Sequence, residues 1–255
     1  MTNSKKLKAV ALGAAVAAAL SSGVASADVT GNAAATTNYI WRGVTQTDNA
    51  AAVQGGLDWS AGGLYVGTWL SNVDFSGAGG RKGYEMDLYA GYGGDIGGFG
   101  YDLGVITYQY PMEPEINFTE VYLSGTFSVV TIGLNYTVDA ASFNDAEKNP
   151  DAVGVFEEGD TYVFGSLDFP TKAGDISLYA GSYMFDKDGK DFTATGGADV
   201  GKIDYVHYGA SLSKGDFTFA VDKNDIGTDN SLSGGDAAAD NVRFWVMWGK
   251  EFELM

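Results

Sequence analysis

The chain has 255 residues with 33 acidic side chains against 15 basic ones, a single histidine and no cysteine. The formal charge of −18 argues against nucleic acid as a partner, because binding a phosphate backbone requires neutralising it with cations. The absence of cysteine removes thiol nucleophiles and thiolate metal sites, and one histidine leaves little for a hydrolytic triad or a zinc centre.

The N-terminus opens with Lys5, Lys6 and Lys8, then an apolar run from Ala9 to Leu20, then Ala25-Ser26-Ala27. This order of parts predicts a secretory signal peptide over 1–27, cleaved after Ala27; the apolar run is too short for a membrane anchor. Cleavage removes three lysines and no acid, which takes the formal charge to −21. No later segment is apolar for long enough to form a membrane-spanning helix. The remaining chain, 28–255, is rich in glycine and aromatics, as all-β proteins are.

Beyond Ala27 the recurring unit is a segment of alternating apolar and polar residues, the length of a tilted transmembrane strand. Twelve such strands are predicted, at 35–43, 50–60, 63–72, 84–93, 99–110, 117–128, 130–142, 160–169, 174–185, 203–213, 215–223 and 241–252. The clearest is Tyr84 to Ala90, with Tyr84, Met86, Leu88 and Ala90 on one face and Glu85, Asp87 and Tyr89 on the other. Ile132, Leu134, Tyr136 and Val138 alternate with Gly133, Asn135, Thr137 and Asp139, and Val242, Phe244, Val246 and Trp248 alternate with Arg243, Trp245 and Met247. The connections sort into two kinds. Those at 44–49, 73–83, 111–116, 143–159, 186–202 and 224–240 are long and polar, whereas those at 61–62, 94–98, 129, 170–173 and 214 are short. Long extracellular loops and short periplasmic turns predict an all-β fold, a closed antiparallel transmembrane β-barrel of the bacterial outer membrane, with the first strand paired to the last. Its surroundings would be outer-membrane lipid and lipopolysaccharide.

On such a barrel the polar faces line the lumen. Asp58, Glu85, Asp87, Asp102, Glu120, Asp139 and Asp222 are expected to point inward, together with Arg42 and Arg243. With Arg42 on the first strand and Arg243 on the last, both arginines would share one wall and face Glu85, Asp87 and Glu120 across a constriction. The excess of acid would favour cations among small hydrophilic solutes. The competing reading is that these charges form buried salt bridges that fill a narrow barrel. Asp48-Asn49 reads as an outer turn, with an inward-folded loop as the alternative. The acids of the 143–159 loop (Asp145, Glu147, Asp151, Glu157 and Glu158, with Asp160 at its end) read as a solvated surface, with divalent-cation binding as the alternative. His207 is expected inside as a hydrogen-bonding group. Barrel phospholipases need Ser and Asn grouped with such a histidine, and no motif supplies them. No enzyme activity, metal or cofactor is expected. Trp41, Trp59, Trp69, Trp245 and Trp248 are assigned mainly to interfacial girdles, with sugar stacking in the lumen as a second role for Trp69 or Trp245.

The stretches Tyr39-Ile40-Trp41-Arg42-Gly43-Val44-Thr45-Gln46-Thr47-Asp48-Asn49, Ala52 to Asp58, Tyr65 to Phe75, Glu85 to Tyr92 and Tyr101 to Val105 resemble the TorF-type porin family of proteobacteria. The Arg-Gly-x-x-Gln-Thr-Asp run is the most specific part. This resemblance, strongest over 38–125, implies a barrel with a pore and supplies no substrate. The last strand, aromatic and ending near Phe252, resembles the signal read by the barrel-assembly machinery, although Glu253-Leu254-Met255 follow it. A non-transporting barrel, acting as an adhesin or structural surface protein through its acidic loops, is the alternative function.

Overall fold

A computed structural model describes residues 27–255 apart from 79, 142–155, 187–192, 195–197, 200–202, 229, 231 and 233–237. The expected signal peptide, the acids Asp145, Glu147 and Asp151, and most of the 186–202 loop lie outside the described residues.

The chain forms a closed antiparallel barrel of twelve strands. In chain order they are β1 (Asp28–Thr36), β2 (Ala52–Ala61), β3 (Leu64–Asp74), β4 (Lys82–Ile96), β5 (Phe99–Gln109) and β6 (Phe118–Phe127). They continue as β7 (Val130–Ala140), β8 (Thr161–Pro170), β9 (Asp175–Met184), β10 (Tyr205–Lys214), β11 (Phe217–Asn224) and β12 (Arg243–Glu253). Each pairs with its neighbours in sequence, and β1 closes the cylinder by pairing with both β2 and β12, as at Ala33, which faces Gly55 and Lys250. Closure leaves no sheet edge unpaired, the condition for a strand protein to lie in lipid.

Eleven of the twelve predicted strands overlap their counterparts almost completely. The first does not. It occupies Asp28–Thr36 rather than 35–43, and residues 37–51 form a loop. The β1 segment is mostly small residues without apolar alternation, so its own pattern does not announce a strand; pairing on both sides determines it. A second departure is a β-bulge. Thr119 faces Asp139 and Glu120 faces Thr137, which leaves Val138 as the extra residue and reverses the alternation beyond it. Asp139 is therefore exposed, not luminal. A third concerns β4, which runs on through Gly93 and Gly94 to Ile96, so that the turn is only Gly97-Gly98 and not 94–98.

The outer wall is apolar around the barrel. Val53, Leu57, Val66, Leu88, Leu103, Leu123, Ile132, Phe219 and Phe244 are all exposed, Phe244 at 79%. That surface is the lipid-facing band of a transmembrane barrel. Trp59, Phe99, Phe127, Phe169, Phe217 and Phe252 ring the short-turn end, and Tyr84, Tyr136 and Tyr208 lie toward the long-loop end. The buried core is inside the barrel, concentrated toward the loop end in Tyr39, Trp41, Tyr108, Tyr110, Phe118, Tyr183, Phe185 and Tyr205.

Candidate functional site

The first loop, 37–51, turns back into the barrel, and the reason is local. Ile40–Trp41 pairs with Val44–Thr45, with Arg42-Gly43 as the two-residue corner. Both corner residues have positive φ, 48° and 81°, as a tight hairpin turn of this twist requires. Gly43 has a second constraint, since a Cβ there would collide with Cβ of His207 on β10. The rest of the motif ties the loop to itself. Asn38 Oδ1 accepts from Thr45 Oγ1 at 2.7 Å, Gln46 N donates to Tyr39 O at 2.7 Å, and Asn49 N donates to Thr45 Oγ1 at 2.9 Å. Asp48 and Asn49 form a positive-φ turn, as expected, within a loop that also folds inward.

The hairpin tip seats Arg42 in a prepared cradle. Its Nη1 and Nη2 donate to the two carboxylate oxygens of Glu120 on β6, at 2.8 and 2.5 Å. Glu120 Oε2 also accepts from Asn135 Nδ2 on β7 at 3.0 Å and from the Tyr108 hydroxyl on β5 at 3.4 Å. The guanidinium lies over Trp41 and Tyr162 at 4.2 Å from each ring centre, and over Tyr183 at 5.1 Å. Trp41 stands edge-on to Tyr108, Phe118 and Phe156. The arginine and glutamate side chains are 6% and 1% exposed, so the ion pair is sealed from water. Two further contacts hold the loop: Asn224 Nδ2 donates to Gly43 O at the hairpin corner, at 2.8 Å, and Asp74 N donates to Gln46 O, also at 2.8 Å.

Beside this pair, Glu85 and Asp87 on β4 are buried with no basic partner among the described residues. Asp87 faces Tyr108 across the strands, so the two acids and Glu120 form one luminal patch. Tyr39 donates to Glu85 Oε1 at 3.4 Å, but Glu85 Oε2 and both oxygens of Asp87 receive no donor. His207 Nε2 is 2.7 Å from the Tyr162 hydroxyl, and Asp222 Oδ2 accepts from Trp245 Nε1 at 2.6 Å and Tyr179 at 2.9 Å.

Toward the turn end the lumen is more open. Asp58 accepts from Tyr89 at 2.5 Å and Asn32 at 3.3 Å, Asp102 accepts from Tyr65 at 2.6 Å, and both acids are only half-buried.

The expected charge layout therefore changes. Glu85, Asp87, Glu120 and Asp58 point inward, but Arg42 is carried by the hairpin, not by the β1 wall, and bonds Glu120 directly in place of facing it across a gap. Arg243 is at the loop-end rim, where it donates to Asn49 Oδ1 at 3.2 Å and to the carbonyls of Asn241 and Ala239. Trp41, Trp69 and Trp245 face inward and are not girdle residues, while Trp59 and Trp248 are exposed. The cradle residues Tyr108, Asn135, Tyr162 and Tyr183 escaped the sequence reading. Inward parity marks each of them, but an inward tyrosine looks the same whether it fills space or faces a cation.

The sequence pattern of the Gcw_chp family, described as bacterial proteins of unknown function, matches residues 20–195. The chain belongs to this family. The matched span contains the whole hairpin and the Glu120 cradle, and it stops before β10, so His207 and Asp222 lie beyond the Gcw_chp match. No curated protein matches the chain. Among solved structures it is similar to the KdgM porin, at 9% identity over 89% of this chain and 99% of that one, TM-score 0.47. It is similar also to the outer membrane phospholipase of Salmonella typhi, at 10% identity over 86% and 89%, TM-score 0.41. A third is OccK8 of Pseudomonas aeruginosa, at 10% identity over 81% and 59%, TM-score 0.37.

Proposed function

We propose that this Gcw_chp protein is a porin-like channel of the bacterial outer membrane, closed toward the loop end by its own first loop and conducting small hydrophilic solutes when that loop is displaced. The observation that carries the reading is the nature of the block. It is a hairpin outside the barrel's hydrogen-bonded ladder, so it can leave without breaking the wall. The lipid-type exterior supports placement in a membrane, with the long loops outward. Resemblance to TorF-type porins points the same way. With the hairpin displaced, Glu85, Asp87 and Glu120 would line the path without a counter-charge, which favours cations. His207 acts in this reading as a luminal hydrogen-bonding group to Tyr162.

The filled loop-end lumen also suits a barrel that transports nothing. Planar-bilayer recording of the purified protein across a salt gradient separates the two. Discrete steps with a cation-favouring reversal potential support the channel, and silence from a folded, heat-modifiable barrel rejects it. Steps that favour anions would retain the channel and reject the acidic path.

A further inference from the structure

We propose that the Glu120 cradle is a binding site for guanidinium-bearing solutes, and that Arg42 is its resident occupant. The inference rests on reading the lumen as a solute path, and it names the class of solute the path selects. A plug needs only bulk, and the apolar side chains of Trp41 and its neighbours supply that. The cradle does more. It offers a carboxylate set for two parallel N–H donors, with Glu120 held in place by Asn135 and Tyr108. Against the guanidinium it sets the rings of Tyr162 and Tyr183, 4.2 and 5.1 Å from the central carbon and 5.9 Å from each other, both on the wall and not on the hairpin. A planar, weakly hydrated cation with forked donors fits this arrangement; an ammonium, a compact and strongly hydrated point charge, uses only part of it.

The second observation is independent of the Arg42 contacts. Asp87 is fully buried with neither oxygen bonded, and it adjoins the cradle through Tyr108. The wall thus carries three carboxylates for the one guanidinium the hairpin brings. An apolar or neutral plug would leave each of the three either to bury its charge or to take up a proton, so a cation is the occupant that this wall favours. A solute carrying guanidinium competes with Arg42 for the same atoms. When it wins, the hairpin is released. Tethering gives Arg42 an effective concentration on the order of millimolar, which sets the solute level needed to displace it.

The test uses full-length barrel refolded in detergent, as wild type, R42A and R42A/E120Q, titrated with methylguanidinium at constant ionic strength and followed by tryptophan fluorescence. Methylammonium is the control. R42A is expected to bind methylguanidinium at least ~10-fold more tightly than wild type, and ~10-fold more tightly than it binds methylammonium. R42A/E120Q is expected to lose that binding. Should R42A fail to refold, R42K keeps a cation beside Glu120 without the forked donors and is expected to bind methylguanidinium more tightly than wild type. Absence of saturable binding in both single variants, or equal binding of the two probes, or binding indifferent to E120Q, overturns the proposal. Conductance of R42A without probe reports on the channel separately. An R42A that conducts but does not bind leaves the channel standing and removes the receptor, and one that binds but never conducts does the reverse.

Discussion

Arg42 and Glu120 are 78 positions apart in the chain and form a two-point ion pair, at 2.8 and 2.5 Å, inside a barrel whose wall Arg42 does not belong to. One end of the pair is on a hairpin tip and the other on β6, so this contact determines whether the first loop is a plug or a free loop.

Breaking the pair from one side leaves a buried charge without a partner, at a cost of about 3–5 kcal/mol. Replacing both ends by apolar residues of similar volume removes that penalty. E120Q and R42A are each expected to lower the temperature at which the barrel loses its heat-modifiable mobility on gels, and R42M/E120L is expected to recover most of the loss. If the double variant is as unstable as the sum of the singles, the pair does not act as a unit.

Gly43 sits at φ 81° with His207 against it, so G43A adds about 1–2 kcal/mol of backbone strain and a collision with an atom close to the β10 backbone. The hairpin should fail to seat. Arg42 then becomes a trypsin site, and cleavage after residue 42 is expected to be at least ~10-fold faster than in wild type, where the same bond is enclosed. Unchanged cleavage would mean that the loop accommodates a side chain there.

Asp87 is buried and receives no hydrogen bond, an arrangement that costs stability. D87N removes the ionisable carboxyl and can donate to Glu85. It is expected to raise the unfolding temperature, by the equivalent of about 1–2 kcal/mol, and to reduce cation preference in any conducting state. A fall in stability would show that the carboxyl is compensated.

Asp160, just before β8 at the loop end, accepts the backbone N–H groups of Glu157 and Asp186, each at 2.9 Å. Burial pushes its carboxyl up from 3.8 to about 7, against the pull of those two donors. A folded value above the unfolded one means that the folded chain holds the proton more tightly. The stabilisation is present in full below 3.8 and is lost as pH rises through about 7. Hydrogen-exchange protection around residues 157–160 should therefore increase as pH falls across that window, after correction for intrinsic exchange, and D160N should flatten the dependence.

What the residues announce and what they hide divide along physical lines. Strands with one face in lipid and one in the lumen must alternate, so Tyr84 to Ala90 and Val242 to Trp248 are legible without coordinates. β1 is not, because Gly31, Ala33, Ala34 and Ala35 carry little pattern and its place is dictated by β2 and β12. Tyr39 to Val44, by contrast, reads as a strand crossing lipid because it is apolar and aromatic; those side chains are buried inside the barrel instead. A single bulge beside Glu120 was enough to turn Asp139 outward. The inward acids Glu85, Asp87 and Glu120 follow from parity alone, but their countercharge arrives from a loop, and a loop's destination is a tertiary fact.

Whether the hairpin is a removable block is tested by single-channel conductance of wild type and R42A side by side in planar bilayers. Wild type is expected to open briefly or rarely, and R42A in sustained, larger steps. Two folded barrels that are equally silent, or that conduct identically, would contradict a removable block.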